Sequence, residues 1–187
     1  TYINLEGIKE PILIARNISP LELVSLRHQL KGIILEEGSV GSHTTIVSRA
    51  LNIPLLIQTK DIINKISNGD KIILDADQGL VYLRPDKTIS ELYKSKLKLR
   101  NKAKKTFLAS KNLEAKTLDN KKIFLMMNAG LMADLPSLDD SGADGVGLYR
   151  TELQFLISNK VPKRAEQAEI YCKVLDSAGE NPVFFRT

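Results

Sequence analysis

From Thr88 to Lys116 the sequence contains neither proline nor glycine, while both residues recur on either side. Such a stretch divides the chain into two parts, each of which must fold around a core of its own. Between Lys87 and Lys122 twelve Lys and Arg stand against three acids (Glu91, Glu114 and Asp119), a net charge of +9. The whole chain of 187 residues carries +5, which leaves about −4 for everything else. Ile89, Leu92, Tyr93, Leu97 and Leu99 make an uneven apolar stripe among the lysines. That pattern predicts a long helix, packed on one side only and connecting two domains. A basic stripe can also bind nucleic acid, but only Tyr93 and Phe107 are present for base stacking and no recognition motif accompanies them. The reading taken here is a solvated connector with no nucleic-acid partner.

Ahead of the connector, strand and helix signals alternate. Short aliphatic runs occur at Pro11–Ala15, Gly32–Leu35, Pro54–Gln58, Lys71–Asp75 and Leu80–Leu83, each bounded by Gly, Pro, Asn or Asp. Between the first two, Ser19 is a good N-cap, Pro20 suits the first helical position and Glu22 completes a capping box. Asn68–Asp70 and Asp75–Gly79 read as turns, the second joining two antiparallel strands. A small α/β domain ending near Pro85 is expected.

Behind the connector a second rhythm begins. Ile123–Asn128 reads as a buried strand, Met132–Gly142 as a helix and Gly145–Tyr149 as a strand. Lys163–Gly179 reads as a helix with Ala168, Tyr171, Val174, Leu175 and Ala178 inward, and Pro182–Thr187 as a third strand. Three βα units predict a parallel sheet or the opening of a (β/α)8 barrel. A full barrel takes about 250 residues, so these roughly 70 would form only part of one. The fold class is therefore α/β throughout, in three regions: 1–86, the connector 87–118, and 119–187.

Some classes are excluded early. No run approaches the roughly 18 apolar residues of a membrane span, and no basic-then-apolar signal opens the chain. The lone Cys172 cannot form an internal disulfide and fits a reducing, cytoplasmic setting; mid-helix, it reads as a half-buried structural residue. A chain that starts at Thr1 reads as a segment of something longer.

Of the two histidines, His28 lies among ordinary helix formers, whereas His43 follows the small-residue stretch Gly38–Ser39–Val40–Gly41–Ser42. With Ile46, Val47, Ala50 and Leu51 marking a buried helix face, His43 falls in that helix's first turn. Free N–H groups and the positive dipole end gather there, which suits a neutral imidazole and an anion attached to it. A first-turn histidine is more often a plain polar helix start, and position does not settle which this one is. Arg150 and Arg186 each end a strand and each precede a threonine. Two guanidiniums on one rim suit bidentate grip of a phosphate or carboxylate. They could also cap carbonyls or pair with a surface acid such as Glu152.

The residues Gly41–Pro54 (GSHTTIVSRALNIP) resemble the active-histidine signature of the phosphoenolpyruvate-utilising enzymes. Gly142–Leu156 (GADGVGLYRTELQFL) and Glu166–Thr187 resemble the barrel signature and the segment leading to its next strand. With Ala15–Leu23, these place the whole chain as similar to the phosphotransferase branch of that family. It departs from the pattern at Ser39, where a second glycine is usual, at Val40, usually basic, and at Gly41, usually threonine. This looseness is closer to the nitrogen-related than to the sugar-transport branch.

The resemblance implies a swivelling phosphohistidine domain, a helical linker and the first βα units of an incomplete phosphoenolpyruvate-binding (β/α)8 barrel. His43 matches the histidine that takes the phosphoryl group, and Arg150 and Arg186 match the arginines that hold the substrate phosphate. Ser19 falls where the family often has a threonine bonded to that histidine. The implied activity is phosphoryl transfer from phosphoenolpyruvate to His43 and on to a small histidine phosphocarrier protein, with release of pyruvate. Mg2+ is the implied cofactor, its ligands expected beyond Thr187 together with the proton-donating cysteine, which Cys172 does not match. Full-length relatives would be homodimers through the missing barrel region. A segment of this size is expected to lack turnover by itself. Rival readings are a piece of a pyruvate phosphate dikinase or phosphoenolpyruvate synthase, and a non-catalytic phosphoacceptor or regulatory module.

Overall fold

Parallel strand pairing builds the larger sheet in each half of the molecule. The computed structural model describes residues 8–111, 113–158 and 162–186, in two units, Thr1–Lys96 and Leu97–Thr187. The first unit begins with β1 (Ile12–Ala15), α1 (Pro20–Leu26), β2 (Gly32–Leu35), α2 (His43–Ala50) and β3 (Leu55–Leu56). β2 is the central strand, parallel to β1 through Ile12↔Gly32 to Ala15↔Leu35 and to β3 through Ile33↔Leu55. Being flanked on both sides, β2 is buried along its whole length. The strand at Pro54–Gln58 contracts to two residues, because Ile57 and Gln58 leave the ladder and Gln58 takes a positive φ of 58°.

Helices α1 and α2 pack on each other and bury Leu23 and Val47 completely. Each such side chain contributes about 1.5–3 kcal/mol when removed from water. At the far end of α2, the buried Ser48 hydroxyl donates to the Ile53 carbonyl at 2.8 Å and fixes the turn into β3. Ile46, Ala50 and Leu51, expected to be buried beside Val47, are only half-buried. A short helix, α3 (Ile62–Lys65), escaped the sequence reading; one turn carries too little periodicity to show. β4 (Ile72–Asp75) and β5 (Leu80–Leu83) form the expected antiparallel hairpin.

The long helix α4 runs from Lys87 to Ala109, short of the expected Lys116, and none of its residues is fully buried. Its apolar stripe is not a packing seam either. Ile89 and Tyr93 are half-buried, whereas Leu92, Leu97 and Leu99 are exposed. Within the first unit, the opening of α4 is fastened to the hairpin by Asp75, which is 6% exposed. Asp75 Oδ2 accepts from Lys96 Nζ at 2.6 Å and from the Tyr93 hydroxyl at 2.9 Å. The Lys96 ammonium holds the Asp75 carboxyl below its ordinary range against the opposite pull of burial.

In the second unit, β6 (Met126–Ala129), β7 (Gly145–Arg150) and β8 (Val183–Arg186) form a three-stranded parallel sheet with β7 central. One face packs against α5 (Pro136–Ser141) and α7 (Arg164–Ala178) around Val146, Tyr149 and Val174. Tyr149 stacks edge-on against Phe185 at 5.5 Å, and Tyr171 covers Phe185 at 4.8 Å. α5 ends at Gly142, as expected, with φ 69°. α6 (Glu152–Ser158) was not expected.

Two expectations change here. Ile123–Leu125 are exposed rather than part of a buried strand, since pairing starts only at Met126↔Gly145, where β7 begins. On α7 the inward stripe is Gln167, Ile170, Tyr171, Val174 and Ala178; Ala168 and Leu175 face water, and so does Cys172. That stripe keeps helical spacing when a glutamine is admitted to it. The three sheets are separate and none closes into a barrel among the described residues.

Candidate functional site

His43 is the first residue of α2, and its ring is exposed. The residues around it are tied down. Ser42 is the N-cap, accepting from Thr45 N at 3.3 Å and sharing a 2.9 Å hydroxyl bond with Thr45 Oγ1. Thr45 Oγ1 also donates to the Ser39 carbonyl at 2.9 Å, and Gln58 Nε2 donates to the Gly38 carbonyl at 3.2 Å. Thr44 Oγ1 donates to the Ile18 carbonyl at 2.7 Å, joining the first turn of α2 to the residue before Ser19. Gly38 has φ 124°, a conformation that side chains rarely adopt, and an added Cβ would meet Ile57 Cγ2 at 3.3 Å. Val40 at the loop tip is 70% exposed, which leaves the approach to His43 open.

Ser19 caps α1. Its hydroxyl accepts from Glu22 N at 3.3 Å while its backbone N–H donates to Glu22 Oε2 at 3.0 Å, the reciprocal box read from the sequence, and the hydroxyl also donates to Glu22 Oε2 at 2.7 Å. That bond to Ser19 holds the Glu22 carboxyl below its ordinary range. With its single proton committed there, Ser19 could meet an imidazole only as an acceptor. Among the described contacts it reaches the His43 helix through its neighbour Ile18.

The arginines come together at the other sheet. Arg150 and Arg186 are register partners at the carboxyl ends of adjacent parallel strands, about 4.8 Å apart in backbone spacing. Thr151, 7% exposed, donates its hydroxyl to the Arg186 carbonyl at 2.6 Å. Arg186 Nη2 also donates to Glu152 Oε1, so the acid named from the sequence as a possible partner is one. Arg150 Nε is buried and has no hydrogen-bond partner among the described residues. Gly130, just past β6, gives Leu153 room: an added Cβ would lie 2.3 Å from Leu153 Cδ1, while it would meet Arg150 Cβ at 3.4 Å, an ordinary contact. The Gly130 and Leu131 N–H groups both donate to Asp134 Oδ2 at 2.9 Å, closing the loop beside them. Gln58 and Gly130 are contributions that sequence reasoning did not assign, and Glu152 was named only as a possible partner. Only Glu152 carried a signal, its place two residues after Arg150.

Among the described residues no three of His, Cys, Asp and Glu gather as metal ligands. No described helix is long and apolar enough to cross a membrane.

An exposed histidine at a helix N-terminus and a guanidinium pair on a parallel sheet are what a histidine phosphoryl acceptor and an anion grip require. Two family models match in that order: the mobile domain of PEP-utilising enzymes over residues 8–79 and their PEP-binding domain over residues 104–187. The chain belongs to the PEP-utilising enzymes. Phosphoenolpyruvate-protein phosphotransferase of Buchnera aphidicola subsp. Baizongia pistaciae is 34% identical over 186 residues, covering 98% of this chain and 32% of that relative. Multiphosphoryl transfer protein of Shigella flexneri is 36% identical over 98% of this chain and 22% of its own length. A solution structure of Enzyme I (nEIt) aligns with a TM-score of 0.47 at 30% identity, over 53% of this chain and 41% of that one. The chain thus spans about a third or less of the curated relatives it matches.

Proposed function

We infer that this segment carries the phosphoryl-accepting histidine and part of the phosphoenolpyruvate grip of a phosphoenolpyruvate–protein phosphotransferase. The observation that carries this reading is the order of the two domain matches, with His43 inside the first and both Arg150 and Arg186 inside the second. Arg150 and Arg186 hold the substrate phosphate through charge-assisted hydrogen bonds. The His43 imidazole nitrogen attacks phosphorus, a P–N bond forms as the bond to the enolate oxygen breaks, and the enolate takes a proton to become pyruvate. The first-turn N–H groups of α2 stabilise the phosphoryl group while it rests on His43. It then passes to a histidine of a small phosphocarrier protein, and His43 regains its lone pair. Ser19, through the Ile18–Thr44 bond, steadies the helix start from which His43 projects.

Residues 1–86 act as the swivelling histidine domain, 87–118 as linker and 119–187 as the opening of the barrel. A Mg2+ site and the proton donor belong to the chain beyond Thr187, the full-length protein is a cytoplasmic homodimer, and the departures at Ser39–Gly41 place it nearer the nitrogen-related branch. In the test, full-length protein is incubated with phosphoenolpyruvate labelled at phosphorus. The expected result is acid-labile label on a peptide containing His43, chased onto a phosphocarrier protein and lost in His43→Ala. Label that appears only with a nucleoside triphosphate would instead favour a dikinase or synthase. The isolated segment is expected to stay unlabelled, and label on its His43 would refute that.

A further inference from the structure

The two residues that follow β7 engage both the backbone and the side chain of Arg186. Thr151 takes the carbonyl, and Glu152, the first residue of α6, accepts from one end of the guanidinium. Among the described residues Arg150, the register partner, has no such carboxylate, and its buried Nε is unsatisfied. The two arginines are therefore prepared differently: one is half-buried with its Nε enclosed, while the other, with its side chain 53% exposed, is held by an acid.

A guanidinium carries five N–H donors in one plane. Glu152 occupies a donor on Nη2 and leaves others for an incoming anion. An exposed arginine samples many rotamers, and a partner that fixes the plane beforehand removes that loss of freedom from the binding step. Glu152 bears the same sign of charge as a phosphate, so its value to the site lies in orientation and is opposed by its own repulsion.

We propose that Glu152 is a positioning residue that presets the Arg186 guanidinium for the phosphate of phosphoenolpyruvate. This rests on the reading of Arg186 as a phosphate anchor. Steady-state pyruvate release by the full-length protein, with substrate varied, tests it in three variants. Glu152→Ala should raise KM for phosphoenolpyruvate about 3–10-fold with kcat unchanged, as expected when a preset side chain must be ordered on binding. Glu152→Gln keeps the acceptor oxygen and should hold KM within about two-fold of the parent. Arg186→Lys should raise KM on its own, and adding Glu152→Ala to it should change nothing further. If Glu152→Ala and Glu152→Gln both lower KM, the carboxylate is a competing counter-ion and the proposal is overturned. An unchanged KM in Glu152→Ala, with Arg186→Lys impaired, overturns the positioning role alone. An unchanged KM in Arg186→Lys overturns the anchor reading, and the Glu152 inference with it.

Discussion

The histidine end of the first unit and the arginine edge of the second solve opposite problems. Around His43 the nearby side-chain groups are satisfied locally: Ser42 by Thr45, Thr45 by Ser39, Thr44 by Ile18, Gln58 by Gly38. Among the described residues the imidazole takes no part in these bonds and stands exposed at the helix start. At the arginine edge the reverse holds. A buried Nε on Arg150 has no partner among the described residues, and Arg186 leans on an acid that is itself half-exposed. A nucleophile needs a fixed base and a free tip, whereas an anion grip needs charge held ready and unspent. An unsatisfied buried donor costs about 1–3 kcal/mol, and a ligand that supplies the acceptor would return it.

That contrast can be broken experimentally. The largest effect is expected at the tip: His43→Ala should abolish transfer of label from phosphoenolpyruvate while shifting stability by no more than about 0.5 kcal/mol, since an exposed side chain is removed. Activity and a thermal melt measured together check both halves of that statement. At the grip, Arg150→Met should raise KM for phosphoenolpyruvate about 10–100-fold, the worth of one or two charge-assisted bonds. It should leave stability nearly unchanged or improved, because it also removes the orphaned donor. Gly130→Ala should destabilise the second unit by about 1–3 kcal/mol through overpacking, given that Leu153, 2% exposed, has nowhere to move. Denaturant unfolding would register it.

Smaller effects test the scaffold of the histidine. Ser42→Ala removes the N-cap of α2 and should cost about 1 kcal/mol, with a fall in the rate of labelling but not its abolition. Asp75→Asn should lower the melting temperature at neutral pH. The folded-state pKa of Asp75 is depressed, so its contribution is present above the ordinary carboxylate range and is lost as pH falls through the lower folded value. The gap between parent and variant should therefore close on acidification; a gap that persisted would show that Asp75 acts through packing rather than charge.

The caps were legible in the sequence because capping is local chemistry. Ser19 with Glu22 and Gly142 after α5 are where residue type and short spacing put them. The strand cores were legible too, since β2 and β7 are apolar runs between turn residues. What escaped depended on partners. Ile123–Leu125 look like strand but lie ahead of the point where β7 offers a ladder. Leu175 looks inward but faces water, while Gln167 on the packed stripe does not look inward at all. α4 stops at Ala109 although nothing in composition stops it. For the site, residue identities at His43, Arg150 and Arg186 were readable, but the sequence left open which arginine Glu152 would engage, and the fold pairs it with Arg186.

The fastening of α4 to Asp75 decides where the first unit can be cut. A truncation at Pro85, which composition alone recommends, would strip Asp75 of its ammonium and its phenol and uncover Tyr82, which lies 5.5 Å from Tyr93. The resulting piece would carry a bare carboxylate over an exposed aromatic patch and would tend to self-associate. Extending the piece through Lys96 keeps that corner closed, so the opening of the basic helix is better regarded as the last wall of the histidine domain than as the first rung of a tether.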